Sequence, residues 1–277
     1  MSELPATAGA GSLTRYERVK LARDPNRPLT LDYINGIGSR FFELKGDRGF
    51  RDDPAIVGGW LKLGERTVMV VGHQKGREMR ENLRRNFGSP HPEGYRKANR
   101  LMTLAAKFGR PVLTFIDTQG AYPGIGAEER GQGEAIARNL LTMVGLPVPI
   151  VTVVIGEGGS GGALGIGVGD RVLMLENAIY SVISPEGCAA ILWRSRERAS
   201  DAAEALKLTA SDLRELDVVD EVISEPAGGA QTEPDAAIAS TGEAISRHLE
   251  ELADLPSDEL LLRRRDKYYA IGEWIEP

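Results

Sequence analysis

Ten residues near the middle of the chain, Gly156-Glu157-Gly158-Gly159-Ser160-Gly161-Gly162-Ala163-Leu164-Gly165, hold six glycines and follow directly on the apolar run Ile150–Ile155. A short apolar run bounded by turn residues reads as a buried strand. Glycine loses more conformational freedom on folding than any other residue, so a cluster of it needs a reason in bare backbone. A second turn of this kind, Asp117-Thr118-Gln119-Gly120-Ala121-Tyr122-Pro123-Gly124, follows the apolar run Val112–Ile116. Apolar strands alternating with helical periodicity specify an α/β fold with a covered sheet. In such sheets ligands bind at the carboxyl ends of strands, where both turns fall.

The rest of the chain supports that architecture. Helices are expected over Leu13–Ala22, ended by Asp24-Pro25-Asn26-Arg27-Pro28, and over Thr30–Ile34, with a loop at Phe41–Asp53. Ile56–Leu63 and Thr67–Val71 read as strands joined at Gly64-Glu65. Tyr95–Phe108 places Ala98, Leu101, Ala105 and Phe108 on one helical face. Further helices are expected over Glu128–Val144, Gly161–Val168, Pro185–Trp193, Ala236–Leu252 and Ser257–Ile271, and further strands over Arg171–Leu175, Ile179–Ile183 and Val218–Ile223. Glu225–Pro234 is a Pro/Gly loop. The simplest parse is one domain over 1–277: a flexible tail at 1–13, helices and loop at 14–55, a core at 56–224 and terminal helices at 225–277.

Composition narrows the chemistry. The net charge of −6 argues against a nucleic-acid binder. A single cysteine, Cys188, excludes an internal disulfide and a Cys-rich zinc site, and it reads as a small buried thiol. Three histidines, at positions 73, 91 and 248, leave little for a His-based metal site. No apolar run is long enough for a membrane span and no secretory leader is read, so the expected location is the cytoplasm.

Three chemistries compete for Gly156–Gly165. A phosphate loop would need G-x-x-x-x-G-K-[ST], and no Lys lies between Gly156 and Gly169. The dinucleotide pattern G-x-G-x-x-G matches at Gly156, Gly158 and Gly161, a weak match in so glycine-rich a stretch. A serine hydrolase would use Ser160 within G-x-S-x-G, with a histidine as base. Only His248 follows Ser160 in the chain, and its surroundings read as a solvated helix face. An oxyanion hole made of main-chain N–H groups asks for glycine alone.

Several long motifs resemble one family in its order. They are Gly72-His73-Gln74-Lys75-Gly76-Arg77, Arg84-Arg85-Asn86-Phe87-Gly88, Pro92-Glu93-Gly94-Tyr95-Arg96-Lys97, Gly126 to Gln132, Glu157 to Ala163, and Tyr180 to Cys188. From about Leu21 to about Gly229 the chain resembles the carboxyltransferase alpha subunits of bacterial acetyl-CoA carboxylase. The resemblance implies a crotonase-type spiral of ββα units with helical extensions at both ends. It implies transfer of the carboxyl group from carboxybiotin, on a separate carrier protein, to acetyl-CoA, giving malonyl-CoA for fatty acid synthesis. The ureido group that has lost its carboxyl can take the methyl proton of acetyl-CoA, so no protein base is required. The implied partners are a beta subunit bearing a zinc ribbon, the biotin carboxyl carrier protein and biotin carboxylase, in an assembly of two alpha and two beta subunits. No metal, membrane or nucleic acid is implied for this chain.

Matching by motif, the resemblance places the N–H pair for the biotin ureido oxygen on Gly161 and Gly162. Gly158, Gly159, Ser160, Ala163, Gly120, Ala121 and Tyr122 are candidate lining of the carboxybiotin pocket. Lys75, Arg77, Arg80, Arg84 and Arg85 give Lys75–Arg85 a net +3 and are candidate contacts for CoA, the carrier or the partner subunit. A solvated helix with pairs such as Arg77–Glu81 is the plainer reading of that run. Arg263-Arg264-Arg265 reads as a surface run. The chain departs from the family pattern at Gln119, where Pro is usual, and in a shorter region before Tyr16.

Overall fold

The apolar runs pair into one sheet. The computed structural model describes residues 13–272, so the expected tail at 1–13 falls almost wholly outside it. The strands are β1 (Arg40–Glu43), β2 (Ile56–Leu63), β3 (Arg66–His73), β4 (Val112–Thr118), β5 (Ile150–Gly159), β6 (Arg171–Leu175), β7 (Ile179–Ser181) and β8 (Glu221–Ile223). Their order is β1-β2-β3-β4-β5-β6-β8. The first three are antiparallel and the rest parallel. β5 is long enough to serve two neighbours. Val151–Val154 pair with β6, and Glu157–Gly159 pair with β7.

The helices are α1 (Arg15–Ala22), α2 (Thr30–Ile37), α3 (Met79–Arg84), α4 (Pro92–Lys107), α5 (Ile125–Glu129), α6 (Gln132–Val144), α7 (Ser160–Leu164), α8 (Pro185–Trp193), α9 (Ala199–Leu206), α10 (Ala210–Glu215), α11 (Pro234–Ala253) and α12 (Ser257–Ala270). Local chemistry fixes several ends. Thr14 and Glu17 form a capping box at α1. Pro92 and Pro185 open α4 and α8, where a missing N–H is harmless. α4 packs on β2, β3 and α6, and α2 packs on β2, β3 and β4. β4 is buried along its whole length, as a strand covered on both faces must be. Each Val or Ile sealed there contributes about 1.5–3 kcal/mol relative to exposure.

Four expectations need correction. The loop at Phe41–Asp53 begins as β1, an edge strand too short for its alternation to show. The helix over Glu128–Val144 is two: the chain breaks at Gly131, whose φ of 79° is left-handed, between α5 and α6. The helix over Gly161–Val168 starts one residue earlier and stops at Leu164. Arg264 is not on the surface. It is 1% exposed and clamps Asp170 with two hydrogen bonds, at 2.8 and 2.7 Å. It also donates to the carbonyls of Met143, Leu146 and Val148. Those carbonyls lie at and just beyond the end of α6, where helix carbonyls lack partners of their own.

Candidate active site

β5 runs buried almost to its end, and the turn into α7 is abrupt. Gly159 is still extended, Ser160 takes a φ of 54°, and the helix begins there. The first amides of a helix have no partner within it. Gly159 offers no capping side chain. Among the described residues the N–H groups of Gly161 and Gly162 donate to no protein acceptor. Gly162 is buried, Gly161 half-buried and Ser160 exposed. Ser160 lines a cleft of about 660 Å³ together with Gln119, Lys75, Glu157 and Glu186.

The two glycine-rich turns touch backbone to backbone. A Cβ on Gly159 would overlap the Gln119 carbonyl, and one on Gly162 would overlap the peptide from Gly120 to Ala121. Gly120, with φ 148°, is itself held by Thr118, whose Oγ1 accepts from its N–H at 3.0 Å and donates to its carbonyl at 2.9 Å. The Ala121 N–H likewise has no protein acceptor among the described residues. Gly161 differs: a Cβ there would meet only Ile136 Cδ1, 4.0 Å away. Gly158 lies under the Tyr180 ring, and Ala163 is fully buried. Tyr122 sits on the far side of this turn, stacked on His91 at 4.2 Å.

Buried polar side chains pin this backbone. The Tyr95 hydroxyl donates to the Gly162 carbonyl at 3.0 Å, and burial raises its pKa well above the usual tyrosine value. Asn139 Nδ2 donates to the Gly165 carbonyl at 2.9 Å. Gln132 Nε2 donates to the carbonyls of Pro90 and Tyr122. The fully buried His73 ring has no well-formed hydrogen bond. Burial pushes its pKa down to about 4, with Asp117 working against that fall. Tyr95 and Gly162 both lie inside recognisable motifs, but nothing in the sequence ties one to the other.

The cleft's charges are paired with one another. Arg23 bonds Glu157 at 2.6 Å and Glu186 at 2.8 Å. Burial opposes ionisation of Glu186, yet Arg23 holds its carboxyl below the usual range. Lys75 Nζ donates to Asp117 Oδ1 at 2.6 Å, and the same oxygen accepts from the Glu157 N–H at 3.0 Å. Of the remaining basic residues in that run, Arg77 pairs with Asp32 and Arg84 lies 3.9 Å from Glu81. Arg80 is exposed. Arg85 is buried, bound to Glu81 and to the Pro54 carbonyl, so it is a structural residue rather than a surface contact.

The histidines lie elsewhere. His248 is buried, not solvated, with Nε2 2.7 Å from Glu221. His91 Nδ1 is 2.9 Å from Asn86 Nδ2. Among the described residues no histidine is hydrogen-bonded to Ser160. Cys188 is free and buried. Among the same residues no cluster of His, Cys, Asp and Glu is arranged to hold a metal, and no helix is long and apolar enough to cross a membrane.

The chain matches the family described as acetyl co-enzyme A carboxylase carboxyltransferase-like over residues 6–272. It is 59% identical to the acetyl-coenzyme A carboxylase carboxyl transferase subunit alpha of Gemmatimonas aurantiaca over 268 residues, covering 96% of this chain and 83% of that protein. The protein of the same description from Thermus thermophilus is 59% identical over 266 residues, covering 96% and 85%. Among solved structures, the transcarboxylase 12S core superposes with a TM-score of 0.68 at 21% identity, over 85% of this chain and 44% of that one. A Pseudomonas malonate decarboxylase hetero-dimer gives 0.66 at 14% identity, over 93% and 96%. At such identities the structural likeness speaks for the fold, which is the crotonase-type α/β architecture expected above.

Proposed function

The chain belongs to the family of acetyl-CoA carboxylase carboxyl transferase alpha subunits, and from that premise we propose that its Gly161 and Gly162 N–H groups receive the ureido oxygen of biotin during carboxyl transfer. The reaction moves a carboxyl group from carboxybiotin to acetyl-CoA, giving malonyl-CoA. When bound, carboxybiotin supplies that carboxyl group and is left with negative charge on its ureido oxygen. The observation that carries the reading is the pair of helix-start amides without protein acceptors, one residue from a cleft. A urea-like oxygen turning anionic needs N–H donors already in place and no side chain in its way. Removing one such donor typically costs about 3 kcal/mol of transition-state stabilisation.

The other lining residues have positional roles in this reading. Arg23, Lys75, Glu157 and Glu186 neutralise one another or Asp117, so the chain brings orientation and electrostatics rather than a base. Gly158 and Ala163 support the turn from below, while Gly159 and Gly162 admit the Gly120–Ala121 backbone. Ser160 lies at the cleft, and Gly120, Ala121 and Tyr122 are offered as pocket lining beyond it. Arg80 and Arg84 face outward on α3 and are offered as contacts for the carrier or the partner. A beta subunit would supply a matching hole for the thioester oxygen and close the cleft against water. Biotin on its carrier, biotin carboxylase, an assembly of two alpha and two beta subunits, and a cytoplasmic location complete the proposal.

The test is Gly161→Val in the complex with the beta subunit. A Cβ there meets only Ile136 Cδ1, at 4.0 Å, so the melting temperature should hold within about 2 °C. Malonyl-CoA formation should fall by about 100-fold or more. Unchanged activity would remove the site assignment. Gly162→Val is a poor test, because it would collide with backbone and disturb the turn itself.

A further inference from the structure

One residue in the glycine-rich turn runs against conformational preference. Among residues 156–165 only Ser160 has a left-handed φ, 54°. That is the conformation in which glycine is unstrained and a Cβ crowds the following carbonyl. The six glycines around it all lie outside that region. At least two of them, Gly159 and Gly162, are needed for close approach instead. The fold's own preference at 160 is therefore glycine, and the chain places a hydroxyl there. That hydroxyl does nothing for the fold: it is exposed at the cleft and hydrogen-bonds no protein group among the described residues. A strained residue with an idle polar group at a site points to a role in the site.

The turn has the shape of a nucleophile elbow, strand to strained serine to helix, without the base such a serine requires. A neutral donor remains. The two amides beyond Ser160 are assigned to the ureido oxygen, and Lys75 is tied to Asp117 at 2.6 Å; among the described residues the Ser160 hydroxyl is the unpaired side-chain donor that adjoins those amides in the chain and lines the cleft. We infer that the Ser160 hydroxyl hydrogen-bonds an anionic oxygen of the carboxyl group being transferred, as a substrate-binding residue and not as a nucleophile. The inference rests on the reading of Gly161 and Gly162 given above.

Two substitutions separate hydroxyl from strain. In the complex with the beta subunit, carboxyl transfer is followed in reverse, with malonyl-CoA as donor and free biotin as acceptor. Ser160→Gly removes hydroxyl and strain together: the melting temperature should rise while kcat/KM for biotin falls about 10- to 100-fold, the range for a hydrogen bond to a charged group. Ser160→Ala keeps the Cβ: the same loss should appear without the thermal gain. Either variant within two-fold of the parent overturns the inference, as does a loss confined to Ser160→Gly. Covalent labelling of Ser160 by a fluorophosphonate would overturn it as well. Full activity in Gly161→Val would instead overturn the reading on which it rests, so the two failures are distinguishable.

Discussion

His73 ends β3 with no exposed surface, and its carbonyl accepts from the Thr30 hydroxyl. Burial pushes its pKa down to about 4, against about 6.5 in an unfolded chain. Between those values the unfolded state binds the extra proton, so stability is fully present above about pH 6.5 and is lost as pH falls toward 4. The slope from this one group is at most about 1.4 kcal/mol per pH unit. Unfolding free energies at pH 7, 6 and 5 should decline accordingly, and His73→Gln, which cannot charge, should flatten the decline; an unchanged slope would assign it to other groups. Glu225 adds its share in a lower window. Burial opposes its ionisation, but Arg27 holds its pKa down, so its contribution is lost only as pH falls below about 4.5. Residue types alone carried little warning of such placements. His248 and Arg264 stand among charged neighbours in the chain, yet both are buried, because each meets a carboxylate from an element distant in sequence, Glu221 and Asp170.

At the scale of the element, α7 has five residues, too few to hold a helix unaided. Its direction is set from outside, by Tyr95 on α4 and Asn139 on α6. Tyr95→Phe removes one hydroxyl and leaves the Gly162 carbonyl without that partner. It should destabilise by about 1 kcal/mol and lower kcat several-fold with little change in KM for acetyl-CoA. Thr114→Val breaks the 2.9 Å hydroxyl bond to Thr152 inside the sheet and should cost similar stability with kcat intact. Equal kcat losses in both variants would mean that Tyr95 does no more for the site than Thr114 does. The long elements were legible because their apolar periodicity extends over whole faces: β2 and α8 span the expected residues. The short ones were not. β1 and α5 owe their existence to pairing and packing with distant partners, and a four-residue strand such as β1 carries too little pattern to be read alone.

Across the whole molecule, α12 is tied to the segments leading into β6 and β8 by Arg264 on Asp170, Tyr268 on Gly169 and Lys267 on Asp220, and Arg264 is the most buried of the three. Arg264→Ala would leave Asp170 buried without its cationic partner and take a donor from the carbonyls of Met143, Leu146 and Val148. Breaking a buried pair this way typically costs about 3–5 kcal/mol, visible as a large fall in the denaturation midpoint; a change under 1 kcal/mol would show that this clamp is dispensable to the core. The candidate site was legible as a candidate because chemistry that uses amides must write itself in glycine after a strand. The supports of the site were not, since Tyr95, Asn139 and Gln132 reach it only through the folded packing of α4 and α6. All of this turns on two N–H groups meeting one oxygen. A structure of the complex with the beta subunit and biotin tests that directly. The ureido oxygen should lie about 2.7–3.2 Å from both the Gly161 and Gly162 nitrogens. A biotin ring seated in the cleft with that oxygen turned away from both would contradict the account.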